Sequence, residues 1–445
     1  MRKHTSFALG DLVPDDPFRA TSVPIYQTAT FEQESAEGFG RYDYARSGNP
    51  TREALERHCA HLEGGARGLA FASGVAAIAA VTRLLKPGDE LLAHRDLYGG
   101  SHRLFSRLLA ERGVTVRYAD LVDGEPAAWR AHCSPRTRLV FVESITNPLL
   151  RVPDLAALAR VAHEVGALLA VDATAMSPWL QRPLSLGADL VVHSATKLLN
   201  GHADATAGIV VTREESLGKE LAFVQNAEGG VLGPFESWLV LRGLATLGVR
   251  VDRQVASATR VAAWLAERSE RQGDVRRVRF PGLADHPDRE RIAAQAEGPG
   301  VVISFETGDE ERSIRLVESL ERFSIAVSFG SVASTASLPC RMSHASIPAH
   351  ERTLPGDLVR LSIGLEDPED LISDLERACR LAAESARLPS DPLPVSPGPH
   401  PEQAARRASP RSAAGLLPHP RPRSSSEARG PGPGATADPA PSASW

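Results

Sequence analysis

The stretch VDATAMSPWLQRPLSLGADLVVHSATKLLNGHAD, residues 171–204, decides how this chain folds. It begins inside one continuous apolar run, ALLAVDA (167–173), and carries a second, DLVVHSA (189–195). Unbroken apolar runs of this length are what strands show when both faces of their sheet are covered. Asp172 stands at the end of the first run, and Ser194, Thr196 and Lys197 at or just past the end of the second. Open α/β sheets place their ligands at such strand ends. Lys197 lies between VVHSAT and LLNG, and apolar surroundings disfavour its ammonium form, leaving an amine available for a Schiff base. The competing reading is a lysine that snorkels to the surface from a buried helix start.

Outward from this stretch the rhythm repeats. ELLAH (90–94), RLVFVES (138–144) and AGIVVT (207–212) are further strand-like runs, and DLAALARVAHEVG (154–166) has helical apolar spacing between an Asp and a Gly. Strand, helix, strand predicts a mostly parallel α/β sheet. From about residue 250 a long amphipathic segment, RVDRQVASATRVAAWLAERSERQG, leads to a strand at VVISFE (301–306) and a terminal helix near 367–386, which reads as a smaller α+β domain. From Pro389 onward the chain holds fourteen of its thirty-three prolines and little apolar periodicity, so 389–445 is expected to be a disordered Pro/Ser/Arg-rich tail.

A chain of 445 residues suits two or three domains with a large core. Fifty Lys and Arg against fifty-five Asp and Glu leave no basic surplus, so nucleic acid is not an expected partner. No apolar run approaches the ~20 residues of a membrane span, and the opening MRKHTSFALGDLVPDD turns acidic before an export signal develops. Four dispersed cysteines (Cys59, Cys133, Cys340, Cys379) read as free thiols in a reducing cytosol. His58, His61, His193 and His202 show no metal-ligand spacing, and no GxGxxG suggests a nicotinamide site. Only four of the basic residues are lysines (Lys3, Lys86, Lys197, Lys219). Lys86 and Lys219 read as solvated charges, whereas Lys197 needs a reason to be lysine.

Several other motifs carry chemistry. FASGVAAIAAV (71–81) is a small-residue turn entering a helix, where the amides of Gly74 and Val75 can receive a phosphate, with Ser73 at the cap. HRDLYGGSHRLF (94–105), RYDYARSGNPTRE (41–53), ESITNP (143–148) and DLVRLSIGLEDPEDL (357–371) place aromatic, amide and guanidinium groups in turns and at strand ends.

Taken with SATKLLNGHAD, these motifs resemble, in order and over roughly residues 20–387, the cystathionine γ-synthase/γ-lyase group of Cys/Met metabolism pyridoxal-phosphate enzymes. The resemblance implies a fold-type I, aminotransferase-like architecture: a mostly parallel seven-stranded sheet with helices on both faces, plus a smaller C-terminal α+β domain. It implies an arm over 1–50 that serves the neighbouring subunit, a cofactor domain over 51–248 and a C-terminal domain over 249–388. Lys197 is then the Schiff-base lysine, and Asp172 pairs with the pyridine nitrogen so that the ring acts as an electron sink. Ser73, Gly74, Val75, Ser194 and Thr196 would hold the phosphate, Thr174 and Asn147 the ring, and Tyr98 would stack on it and share the catalytic role. Tyr44 and Arg46 would reach a neighbour's phosphate in a homotetramer of two active dimers. Arg360, with Ser328 and Arg103, would bind the amino-acid substrate, Arg360 clamping its α-carboxylate.

The chain departs from the group's pattern in two places. Asp-Ala-Thr-Ala (172–175) stands for the usual Asp-Asn-Thr-Phe, and in SFGSVASTASLPCRMSHA (328–345) Ala333 replaces a Glu and Leu338 a His. Ala173, Ala175 and Ala333 are thus expected to enlarge the pocket and remove a distal polar contact. The resulting expectation is elimination or replacement at the γ-carbon of an L-amino acid. The alternatives are a β-eliminating cystathionine or cysteine lyase and a non-catalytic scaffold.

Overall fold

In the computed structural model, which describes residues 2–9, 18–343 and 354–384, the strands fall into two sheets. The first contains β1 (Arg67–Phe71), β2 (Glu90–His94), β3 (Thr115–Ala119), β4 (Thr137–Glu143), β5 (Leu168–Asp172), β6 (Leu190–Ser194) and β7 (Gly208–Thr212), in the order β1-β7-β6-β5-β4-β2-β3. Neighbours from β3 through β6 pair in parallel, and β7 alone runs against the rest. This is the expected mostly parallel α/β sheet.

Side-chain alternation explains why its central strands are apolar throughout. Val140 and Val142 of β4, with Leu169 and Val171 of β5, enter one helix-covered core. Leu139, Phe141 and Ala170, from the same strands, enter another on the opposite face. β3 lies at the edge, exposes Thr115, and carries no such run.

β8 (Arg276–Arg279), β9 (Val302–Glu306), β10 (Ser324–Ile325), β11 (Thr335–Ser337) and β12 (Leu358–Ser362) form the second sheet, ordered β10-β11-β12-β9-β8. Its core joins Phe305 and Val359 to the amphipathic helices Leu247–Gln272 and Pro368–Glu384. The long helix buries Val251, Ala258, Val261, Ala262 and Leu265, the helical period that the sequence displays.

The turn-rich stretch RYDYARSGNPTRE runs into a helix at its end. Asn49 caps a helix over Pro50–Glu63, its side chain accepting from the Thr51 and Arg52 amides, and Pro50 occupies the first turn, where a missing N–H costs nothing. The tail expected over 389–445 lies outside the described residues. Among those described, no helix is long and apolar enough to cross a membrane. For function, the decisive feature is that β4, β5 and β6 end side by side, with Glu143 opposite Asp172 in register.

Candidate active site

Asp172 ends β5 as a buried carboxylate whose Oδ1 accepts the Thr174 amide at 3.0 Å and the Thr174 hydroxyl. Burial pushes its pKa up. Beside it, Glu143 accepts the backbone N–H of Tyr98 at 2.6 Å and that of Asn147 at 3.3 Å. Burial and the adjacent Asp172 carboxylate raise Glu143 well above the usual range.

Lys197 follows β6 and directs its Nζ to the Ser328 hydroxyl. Burial first, then the Arg360 charge, lowers its pKa to about 8. Arg360 sits in β12, buried, donating from Nη1 to Asn147 Oδ1 at 2.8 Å and from Nη2 to the Ser328 carbonyl at 2.9 Å. Burial lowers it to about 10. Among the described residues no carboxylate pairs with this guanidinium. A buried cation lacking its anion is costly, and an incoming carboxylate relieves that cost.

Above these groups, the helix Gly74–Thr82 starts against β6. Ser73 caps it, its hydroxyl accepting the Ala76 amide at 3.1 Å, which leaves the amides of Gly74 and Val75 without a protein acceptor among the described residues. A Cβ on Gly74 would meet Ser194 Cβ at 2.7 Å, so only glycine lets the helix start approach Ser194 this closely. Among the described residues the Ser194 hydroxyl has no protein partner. Free amides at a helix N-terminus and a free hydroxyl form an anion cradle. Thr196 also borders it, although its hydroxyl already accepts the Ala207 amide at 2.9 Å.

Ser73, Gly74, Val75, Tyr98, Asn147, Asp172, Thr174, Ser194, Thr196, Lys197, Ser328 and Arg360 all line one cavity of about 410 Å³. Three sequence candidates are elsewhere. Arg103 is exposed at the end of the helix Gly99–Arg103 and does not border the cavity. Tyr44 and Arg46 are exposed, and Arg46 donates to the Asn226 carbonyl at 2.8 Å.

Of the substituted positions, Ala175 lines the cavity, whereas Ala173 is in the main core and Leu338 in the second-sheet core. Ala333, expected at the substrate's far end, is exposed and outside the lining. The turn around it is held by Glu366, which accepts from Ser334 N at 2.7 Å and Ser334 Oγ at 2.8 Å. Glu143 and Phe329 line the cavity unpredicted. Glu143 had a visible signal, an acid ending an apolar run just as Asp172 does, but Phe329 had none in its own loop.

The residues present fit pyridoxal phosphate (PLP). The cradle suits its phosphate, Lys197 its aldehyde, and Asp172 its ring nitrogen, where a bound cation would offset the raised pKa. Comparisons with known proteins agree. Residues 4–380 match the family described as "Cys/Met metabolism PLP-dependent enzyme". The chloroplastic cystathionine beta-lyase of Arabidopsis thaliana is 49% identical over 82% of this chain and 78% of its own. The cystathionine gamma-lyase of Bacillus subtilis is 43% identical over 85% of this chain and 99% of its own. A solved structure of the Lactobacillus plantarum cystathionine gamma-lyase with L-serine superposes with a TM-score of 0.83 at 39% identity, covering 86% of this chain and all of that one. The fold is therefore fold-type I, and the chain belongs to the PLP-dependent enzymes of Cys/Met metabolism, of the cystathionine lyase and synthase type.

Proposed function

We propose that this enzyme is a carbon–sulfur lyase that cleaves cystathionine by β-elimination, converting cystathionine and water to homocysteine, pyruvate and ammonia. The observation that carries the reading is a buried amine, Lys197, sharing one cavity with a guanidinium that has no anion, Arg360. The choice of the β-carbon rests on the 49% identity to a protein named cystathionine beta-lyase.

PLP, when bound, supplies an electron-withdrawing ring that makes the substrate's α-proton acidic. Gly74, Val75 and Ser194 would hold its phosphate, Asp172 its ring nitrogen, and Tyr98 would cover one face. Asn147 spends its oxygen on Arg360 and keeps its amide nitrogen as a donor. Arg360 fixes the substrate's carboxylate through its fork, which aims the α-carbon at Lys197. Lys197 takes the α-proton at Nζ and returns it to the departing sulfur. Its pKa of about 8 lies near that of a thiol, so the transfer costs little in either direction.

A second reading, γ-elimination to cysteine, 2-oxobutanoate and ammonia, is favoured by the likeness to the two gamma-lyases. Incubation with cystathionine separates them: the proposal requires homocysteine with pyruvate, and cysteine with 2-oxobutanoate refutes it. The exposure of Tyr44 and Arg46 supports their completing a neighbouring subunit's site in a homotetramer. The four unbridged cysteines suit a reducing cytosol.

A further inference from the structure

Phe329 is an aromatic residue of the cavity to which the functional reading assigns no task. Lys197 Nζ lies over its ring, 5.3 Å from the centroid, and so does the Arg360 guanidinium carbon, at 5.7 Å. Both distances fall within the range over which an aromatic face attracts a cation.

The short loop carrying this ring is pinned on every side. Ser328 adopts φ +89°, unusual for a residue with a side chain, and its carbonyl accepts from Arg360 while its hydroxyl meets Lys197. Gly330, at φ +80°, donates its amide to Ser362 Oγ at 2.8 Å, and a Cβ there would strike the Leu198 amide at 2.9 Å. The ring is thus fixed relative to both β12 and the lysine turn.

The chemistry explains why an aromatic residue suits this place. A carboxylate would neutralise Arg360 and occupy the position of the substrate's own carboxylate. An aliphatic side chain would offer the two mutually repelling cations only desolvation.

We propose that Phe329 is a positioning residue whose ring face holds the cationic forms of Lys197 and Arg360 in place while leaving both free for the amino-acid substrate. This rests on the roles given to those two residues above. Asp172 from β5 and Arg360 from β12 also face Lys197, with Glu143 of β4 next to Asp172, Tyr98 acting on Arg360, and the Ser328 hydroxyl at the amine. The ring's effect adds to theirs.

The test compares Phe329→Leu, which keeps apolar bulk without a π face, with Phe329→Tyr, which keeps the face. The holoenzyme's visible absorbance is titrated against pH, and KM and kcat are measured with cystathionine. Phe329→Leu should lower the midpoint of the titration by about half to one unit and raise KM by roughly three- to tenfold, more than it lowers kcat. Phe329→Tyr should stay near wild type in both. If Phe329→Leu does not fold, Phe329→Met gives the same readouts. An unmoved midpoint with unchanged KM in the variant lacking the ring, or an equal shift in Phe329→Tyr, overturns the inference alone. A wild-type enzyme with no visible band overturns the functional reading and this inference with it.

Discussion

Lys197 is one of only four lysines in a chain that otherwise uses arginine, and its setting states the reason. Burial lowers its pKa from 10.5 to about 8, so between those values the unfolded chain binds a proton that the folded protein refuses. Below pH 8 this costs the folded state about 3 kcal/mol, and the cost fades as pH rises from about 8 to 10.5. Lys197→Met should therefore raise the Tm of the cofactor-free protein at pH 7 by a few degrees, with the two curves converging near pH 10.5. Equal Tm values at pH 7 would show that the amine is not penalised by burial. At Arg360, substitution by lysine keeps the charge and loses the fork. Arg360→Lys should raise KM for the amino acid by ~10- to 100-fold, the loss of a charged hydrogen bond, with a smaller change in kcat. An unchanged KM would remove the carboxylate clamp from the account.

At the scale of elements, the helix Gly99–Arg103 shows how backbone geometry places a side chain. A Cβ on Gly100 would lie 2.3 Å from the Tyr98 ring, so the ring can lie along this helix start only because residue 100 is glycine. Gly100→Ala ordinarily favours a helix, yet here it should displace Tyr98 and weaken cofactor affinity at least several-fold while the far-ultraviolet CD stays native. Wild-type affinity in that variant would mean Tyr98 does not cover the cofactor. The same contrast marks what was legible in the sequence. β2, β4, β5, β6 and β7 were visible because each face of the sheet is covered, which forces unbroken apolar runs. Edge strand β3 and the short β10 and β11 have no such constraint and left no signature. In the site, Asp172 and Lys197 were found at the ends of apolar runs while Glu143, with the same signal, was passed over; Phe329 depends on contacts between distant segments, and Ala333 was misplaced because spacing does not reveal which way a turn points.

For the whole molecule, the issue is whether one chain suffices. Tyr44 and Arg46 lie outside the chain's own cavity. If they complete a neighbour's site, Arg46→Ala and Lys197→Ala proteins, each inactive alone, should regain part of their activity when co-assembled, since some sites then receive an intact lysine and an intact arm. Mixed oligomers with no recovered activity would assign the arm to its own subunit. The most direct test of the central claim, that Lys197 anchors the cofactor, uses the scarcity of lysine itself. Borohydride reduction of the holoenzyme fixes the cofactor to whichever amine holds it, and digestion with mass spectrometry then reports which of Lys3, Lys86, Lys197 and Lys219 carries the added phosphopyridoxyl mass. The account predicts that mass on the peptide containing Lys197; finding it on another lysine, or on none, would contradict it.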